Sequence, residues 1–231
     1  MQLESTVLLK SIPEWKPWKK WKASGKNVKK VGAILPAVLF GDTEKTIAAL
    51  SEADCPFVQV HSPGQLYCAK QAGIPAHGSF RLNLWNGDSA LFWYQLGADT
   101  LTASPEASIP MLRQMTAGAV VYGHIPLMHT SRCFLWGKCG GTGGRIAGKT
   151  CPHEGCLGVL TDRTAARFPV LAKDGICEIC NGTPLWMGDK LSLLPPLTHM
   201  EFLFTTENGT QVDGVIKGYR TGEKRTGKRL R

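Results

Sequence analysis

The chain has 231 residues, which is enough for one large domain or two small ones. Hydrophobic residues make up 43% of it and charged residues 19%, which is typical of a globular protein and argues against a disordered chain. Because no run of 18 apolar residues and no secretory signal occur, we expect no membrane partner and a cytoplasmic location.

The net charge of +9 is concentrated at the two ends of the chain. We define a basic Trp/Lys-rich segment at residues 1–30 and a basic tail at residues 217–231. The tail is expected to be unstructured. In the first segment Trp15, Trp18 and Trp21 alternate with lysines. Three interpretations stay open: the segment contacts the phosphates and bases of RNA, it is a solvated end that aids solubility, or its tryptophans, spaced by three, pack one helix face onto the body of the protein.

Residues 31–124 alternate short apolar runs with amphipathic stretches that begin at a capping residue. The runs predicted as strands are Ala33–Phe40, Phe57–Val60, Ile74–Ala76, Arg81–Leu84, Thr100–Ala103 and Ala119–Tyr122. The stretches predicted as helices are Glu44–Ala53, Ser62–Gln71, Asp88–Leu96 and Ser104–Met115. This alternation predicts an α/β fold with a partial (β/α) TIM-barrel-like parallel sheet. With five or six strands instead of eight, the barrel is either partial or completed by a protein partner.

Polar residues follow the predicted strands, where a parallel barrel places its functional groups. Each also has a structural explanation, since serine and glutamate cap helices and asparagine satisfies turns. The candidates at this edge are His61, His77, Arg81, Asn83, Asn86, Ser104, Glu106 and His124.

Residues 125–216 form a cysteine- and glycine-rich region with a closing strand at Met200–Thr206. Thiolates are soft ligands, and four of them complete a zinc site or one iron–sulfur cluster. A metal-binding region is therefore predicted here, and buried or free thiols are the alternative. We expect Cys55 and Cys68 to be packing residues. The six cysteines of the region are Cys133, Cys139, Cys151, Cys156, Cys177 and Cys180.

Several stretches, in order along the chain, resemble the signature region of the peptidase U32 family. They are HGSFRLNLWN, LGADTLTASPE, VYGHIPLMHTSRC, LTDRTAARFPV and ICEICNGTPLWMGDKL. The resemblance covers residues 34–207 and implies the C-terminal part of the family's barrel-like domain. Members are described as collagenase-like proteases, that is, hydrolases, whereas several relatives bind a [4Fe–4S] cluster and support oxygen-independent hydroxylation of tRNA, rRNA or a quinone precursor.

The resemblance implies a metal-ligand set of Cys133, Cys151, Cys156 and Cys177, with Cys139 and Cys180 as alternates. Pro126 stands where the cluster-binding relatives have an early cysteine, so the ligand set differs from theirs. The family's first barrel strands are not evident, which suggests a truncated copy or assembly with a partner.

Three functions follow as hypotheses: a U32 peptidase acting on a peptide, an iron–sulfur protein for RNA modification or small-molecule hydroxylation, and a non-enzymatic accessory subunit. No catalytic set for proteolysis can be read from the sequence. We expect His77, Arg81 and His124 to contact the substrate. Asp162 and Arg163 are expected to be structural.

Overall fold

The computed structural model describes the backbone of residues 6–9 and then residues 30–38, 42–131, 156–173 and 176–227. The chain divides into two compact units. Unit 1 comprises residues 1–104 and 115–117, and unit 2 comprises residues 105–114 and 118–231. None of the helices in these ranges has the length and apolar character needed to span a bilayer.

Unit 1 is built on parallel strands that pair in chain order. The strands are β1 (Thr6–Leu9), β2 (Lys30–Ile34), β3 (Val58–Val60), β4 (Ala76–Gly78) and β5 (Thr100–Ala103). The helices are α1 (Thr43–Glu52), α2 (Pro63–Gln71) and α3 (Gly87–Gln95), with a 3-10 turn, η1, at Phe80–Leu82. The predicted α/β fold with a partial (β/α) barrel is confirmed.

Local capping chemistry explains why the three helices begin where the sequence indicates. The side chains of Asp42, Ser62 and Asn86 each accept a hydrogen bond from a backbone N–H in the first turn of their helix. These bonds satisfy donors that the helix itself leaves unpaired. The predicted helix starts are therefore confirmed to within one or two residues.

Unit 2 contains strand β6 (Gly118–Gly123), which pairs antiparallel with β11 (Leu185–Trp186) and parallel with β12 (Met200–Leu203). The core here is aromatic: the Trp186 and Tyr219 rings lie 4.7 Å apart, and the Tyr219 hydroxyl donates to the Val121 carbonyl. The remaining elements are α4 (Ile109–Leu112), the 3-10 turn η2 (Leu191–Leu193) and α5 (Gly209–Thr221).

A separate antiparallel sheet follows β6 in the chain. Its strands are β7 (Pro126–Thr130), β8 (Cys156–Thr161), β9 (Arg167–Lys173) and β10 (Ile176–Cys180), in the spatial order β7-β10-β9-β8. This four-stranded sheet was not predicted, because the glycines and cysteines of the region hide the strand pattern. In β9 the pattern is visible once the strand is known, since Val170 and Ala172 are buried while Arg167 is exposed.

Three predictions about elements are wrong. Arg81–Leu84 is not a strand, because the Ser79 hydroxyl accepts from the Arg81 N–H and turns the chain into η1. The helix expected from Ser104 begins at Ile109 and has four residues. The chain is not unstructured from Lys217, since α5 continues to Thr221, where the amphipathic face that includes Val215 and Tyr219 is buried.

Candidate functional site

Two cysteines occupy one row of the four-stranded sheet. Cys156 of β8 pairs with Ala172 of β9, and Cys177 of β10 pairs with the same Ala172. Residues of one row belong to one face of the sheet, and two strand spacings separate the Cα atoms of the cysteines by about 10 Å. That separation exceeds what a disulfide spans, so the row does not hold a cystine.

The Cys177 end of this row is buried from solvent. Cys177 has no exposed surface, and Ala172, Val170 and Ile179 on the same face are buried. The small Ala172 side chain stands between the two cysteine positions. An inorganic centre bound by thiolates is stabilised by such a shielded setting, because the surroundings control solvent access to it.

The row continues onto β7, where Thr130 pairs with Cys177. Cys180, an alternate ligand, is also fully buried but pairs with Pro126, at the opposite end of β7. A bulge separates Ile179 from Cys180. The structure therefore places Cys177, and not Cys180, in the row that contains Cys156.

The remaining predicted ligands cannot be located. Cys133, Cys139 and Cys151 lie outside the described residues. Within the described ranges, no group of three or more His, Cys, Asp or Glu side chains is arranged to hold a metal ion. The four-cysteine set therefore stays a prediction.

On the other face of this sheet, His129 and Glu178 form a cross-strand pair. The His129 Nε2 atom lies 3.1 Å from a carboxylate oxygen of Glu178, which is buried. A buried carboxylate is costly unless it is paired, so this contact explains how Glu178 is accommodated beside Cys177.

In unit 1, a hydrogen-bonded chain joins the carboxyl ends of three neighbouring strands. The Ser79 hydroxyl, just after β4, lies 2.6 Å from His61 Nδ1 and accepts from the Arg81 N–H at 3.1 Å. The buried Gln65 amide accepts from the His61 N–H at 2.7 Å and donates to the Pro36 carbonyl at 2.9 Å. We call His61, Gln65, Ser79 and Arg81 the edge cluster.

Two of the predicted contact residues lie in unit 1 but in different settings. His77 is within β4 and not beyond its end, and its ring stacks on Phe57 with centroids 4.4 Å apart. Arg81 lies in η1 with its guanidinium 5.2 Å from the Phe80 ring centroid. Arg81 therefore joins the edge cluster, whereas His77 lies deeper along the strand.

A cleft of about 490 Å³ adjoins the edge cluster between the first turns of α1 and α2. Desolvation, and after it the carboxylates of Glu44 and Asp42, raise the pKa of the Cys68 thiol. Asp42 is itself paired with Lys45 at 3.3 Å. Its lining residues are Ala37, Asp42, Thr43, Glu44, Ser62, Gly64, Gln65 and Cys68.

His124, the third predicted contact residue, belongs to unit 2. Its Nδ1 atom lies 2.6 Å from the Asn181 carbonyl oxygen, so the ring joins the end of β6 to the segment after β10. Asp162 is structural as predicted, since one carboxylate oxygen accepts from the Thr164 and Ala166 N–H groups in the β8–β9 turn. The Thr164 hydroxyl, which donates to the same carboxylate, and then these N–H groups lower the pKa of Asp162.

Asn83 and Asn86 have structural roles, which was the alternative to a role in binding a substrate. Asn83 adopts the left-handed conformation, φ 57°, and accepts from the Trp85 indole at 2.9 Å. Asn86 caps α3 in a reciprocal capping box with Ser89. Both contacts use the side-chain oxygen of the asparagine as the acceptor.

Comparisons with known proteins add little to this geometry. A scan against protein-family models finds no match, and a search of curated proteins finds none. Among solved structures, the chain is similar to a glycerol uptake operon antiterminator regulatory protein from Listeria monocytogenes. The identity is 14% and the TM-score 0.35, over 52% of this chain and 69% of that chain, which carries no argument.

Ser79 and Gln65 were missed as site residues. Ser79 follows a strand that was predicted to end earlier, and Gln65 lies in a helix where its contacts depend on how α2 packs. The sequence does contain one local signal for Ser79, because this serine directly follows the strand that ends at His77-Gly78. Its partner, His61, is 18 positions away and could not be paired with it from sequence.

Proposed function

We propose that the protein is a U32 peptidase-like iron–sulfur protein in which Cys133, Cys151, Cys156 and Cys177 hold a [4Fe–4S] cluster. We further propose that it supports oxygen-independent hydroxylation of RNA or of a small aromatic precursor. The observation that carries the proposal is the row formed by Cys156, Ala172 and Cys177.

The donor set and its surroundings fit such a group. Thiolates are the usual ligands of [4Fe–4S] clusters, and the backbone register places Cys156 in the same sheet row as the buried Cys177. Zinc is the alternative metal, because it also takes four thiolates.

The positions of the other two cysteines in the chain agree with this site. Cys133 comes three positions after Thr130, which pairs with Cys177, and Cys151 comes five positions before Cys156. Three residues span at most about 10 Å and five at most about 18 Å, whatever their conformation. The chain length therefore permits both thiols to reach the row, and Cys139 is the alternate.

Peptide hydrolysis is less well supported. It requires a nucleophile or activated water that a peptide can approach. The described residues contain one serine–histidine contact, between Ser79 and His61, but Ser79 has no exposed surface and its oxygen is already bonded to the Arg81 N–H. A peptide carbonyl has no access to that hydroxyl.

When bound, the cluster would supply electron transfer. The chain's own contribution is to hold the centre with its thiolates and to exclude water through Val170, Ala172 and Ile179. The basic residues near both ends of the sequence suit an RNA substrate, since phosphate contacts by Lys and Arg dominate such binding.

The proposal is tested by purifying the full chain without oxygen and measuring its iron content and its hydrolysis of gelatin. We expect a coloured, iron-containing protein that does not hydrolyse gelatin, whether or not iron is present. Hydrolysis of gelatin by the metal-free protein, lost in Ser79→Ala, would instead establish a peptidase. A colourless protein with one zinc per chain would exclude the cluster.

A further inference from the structure

The backbone carbonyl of Asn181 determines where His124 carries its proton. A carbonyl oxygen can only accept a hydrogen bond, and this oxygen lies 2.6 Å from His124 Nδ1. Nδ1 must therefore be the donor, so neutral His124 is protonated at Nδ1 and has its lone pair at Nε2. Among the residues that the structure describes, none forms a hydrogen bond with that Nε2 atom.

The Asn181 carbonyl is itself held in place on both sides. Asn181 is buried, and its N–H donates to the Ile125 carbonyl at 2.8 Å. The next residue, Gly182, packs so closely on the Arg167 carbonyl that an added Cβ would collide with it. The half-buried His124 ring is therefore held by a fixed acceptor, as in sites that orient an imidazole for a ligand.

Strand register places an aromatic residue beside His124. Gly123 of β6 pairs with Leu203 of the parallel strand β12, and neighbouring strands are about 4.8 Å apart. The residues that follow this pair are His124 and Phe204. Both therefore lie at the carboxyl ends of neighbouring parallel strands, where barrel-like folds place their functional groups.

Phe204 belongs to a small aromatic surface at this edge. The Phe202 and Phe204 rings are stacked with centroids 6.1 Å apart, and the Tyr122 ring lies 5.3 Å from Phe204. Both phenylalanines are only half-buried. Partly exposed rings offer a flat apolar surface on which a further aromatic ring gains contact area.

The charge at this edge favours an uncharged ligand. Residues 118–128 contain no Lys, Arg, Asp or Glu, and Glu207 is the one charged residue in the stretch 203–211. Its carboxylate already accepts from the Tyr122 hydroxyl and from two backbone N–H groups after β12. No cation of these two stretches is therefore available to pair with an anionic ligand.

We propose that His124 Nε2 accepts a hydrogen bond from the hydroxyl of a small, uncharged aromatic molecule whose ring packs on Phe204. The lone pair of Nε2 matches a hydroxyl donor, and the aromatic surface matches the ring that carries it. Binding is reversible, and no covalent bond changes. The inference goes beyond the proposed function, because it assigns a binding role to a residue outside the cysteine row and does not depend on a bound cluster.

The first test is nitrogen NMR of the histidine rings in the full-length protein at about pH 8, where imidazoles are generally neutral. The His124 signals are assigned as those that are lost in His124→Asn. We expect a single Nδ1–H tautomer for this ring, because its Nδ1 proton is donated to Asn181. An Nε2–H tautomer would overturn the assignment.

The second test compares the binding of phenol with that of anisole, which lacks the hydroxyl hydrogen. Phenol should shift the His124 Nε2 signal in a saturable way, whereas anisole should not. His124→Asn keeps an N–H for the Asn181 carbonyl but has no atom at the Nε2 position. It should bind phenol roughly fivefold more weakly, which is the loss expected for one neutral hydrogen bond. Equal shifts with both probes, or no saturable shift, would contradict the proposal.

A second pair of variants keeps the test valid if His124→Asn does not fold. Phe204→Leu should weaken phenol binding because it removes the ring beside His124. Phe92→Leu should not, since Phe92 is 54% exposed on α3 of unit 1. Equal phenol binding by both variants would contradict the aromatic part of the site. Iron and sulfide are measured in the same samples, so saturable phenol binding by a protein without a cluster would contradict the proposed function alone.

Discussion

Cys156 and Cys177 lie in one row of the four-stranded sheet, each paired with Ala172 on the strand between them. The two positions are 21 residues apart in the chain, yet only two strand spacings apart in the fold. Folding of this sheet therefore brings two cysteines that are distant in the sequence into one candidate ligand set.

Replacing Cys177 with serine should remove most of the bound iron, because a buried hydroxyl is a poor substitute for a thiolate ligand. Iron and sulfide should be measured in protein purified without oxygen. Cys55→Ser is the matched control, since Cys55 is also buried but its thiol bonds to the Phe57 carbonyl in unit 1. If both variants keep or both lose iron to the same extent, Cys177 is not a specific ligand.

Removing the Tyr219 hydroxyl should destabilise unit 2 by about 2 kcal/mol. The hydroxyl donates to the Val121 carbonyl and accepts from the Met187 N–H at 2.9 Å, so Tyr219→Phe removes two buried hydrogen bonds. Urea unfolding measures the loss. In Tyr94→Phe the hydroxyl lost is bonded to Thr116 at an exposed site, where water replaces it, so a change below about 0.5 kcal/mol is expected.

Two glycines of unit 2 should respond to alanine in opposite directions. Gly123 has φ 127°, and an added Cβ would collide with the Leu203 carbonyl, so Gly123→Ala should lower the melting temperature. Gly214 lies inside α5 with open space around it, so Gly214→Ala should raise stability by about 0.5–1 kcal/mol. Changes of the same sign in both variants would contradict the described backbone.

The stability of unit 2 should fall as the pH decreases below about 6.5. Burial lowers the pKa of His199 below its ordinary 6.5, and the ring packs against Gly118. The unfolded chain then takes up a proton near pH 6.5 and the folded chain only at lower pH, so acid favours unfolding across that interval. The melting temperature measured between pH 7 and pH 5 reports this loss.

His199→Gln should flatten this pH dependence, because the titrating group is gone. Thr198→Val removes the hydroxyl 3.1 Å from His199 Nδ1 but keeps the imidazole, so its pH dependence should persist. An unchanged slope in His199→Gln would show that another group controls acid unfolding.

Helix starts in unit 1 could be predicted from sequence because their causes are local. Asp42 and Ser62 cap α1 and α2 through residues three positions away, and Pro63 fits the first turn. Alternation of these helices with apolar runs was then enough to predict parallel strands. Strand β1, within the segment read as basic and Trp/Lys-rich, was missed because Thr6–Leu9 is too short to show a pattern.

The candidate site was only partly predictable, because it depends on register. Nothing in the sequence shows that Ala172 pairs with both Cys156 and Cys177, or that Ser79 meets His61. Sequence spacing led to the prediction that thiols are metal ligands and that polar residues follow the strands. Which thiols share a row, and which hydroxyl fixes which imidazole, are decided by strand pairing over long separations.

The most direct test is the iron and acid-labile sulfide content of the full-length protein purified and kept without oxygen. The account predicts about four of each per chain, together with the broad visible absorption of a thiolate-bound cluster. One zinc per chain, or no metal with all thiols titrating as free, would contradict it.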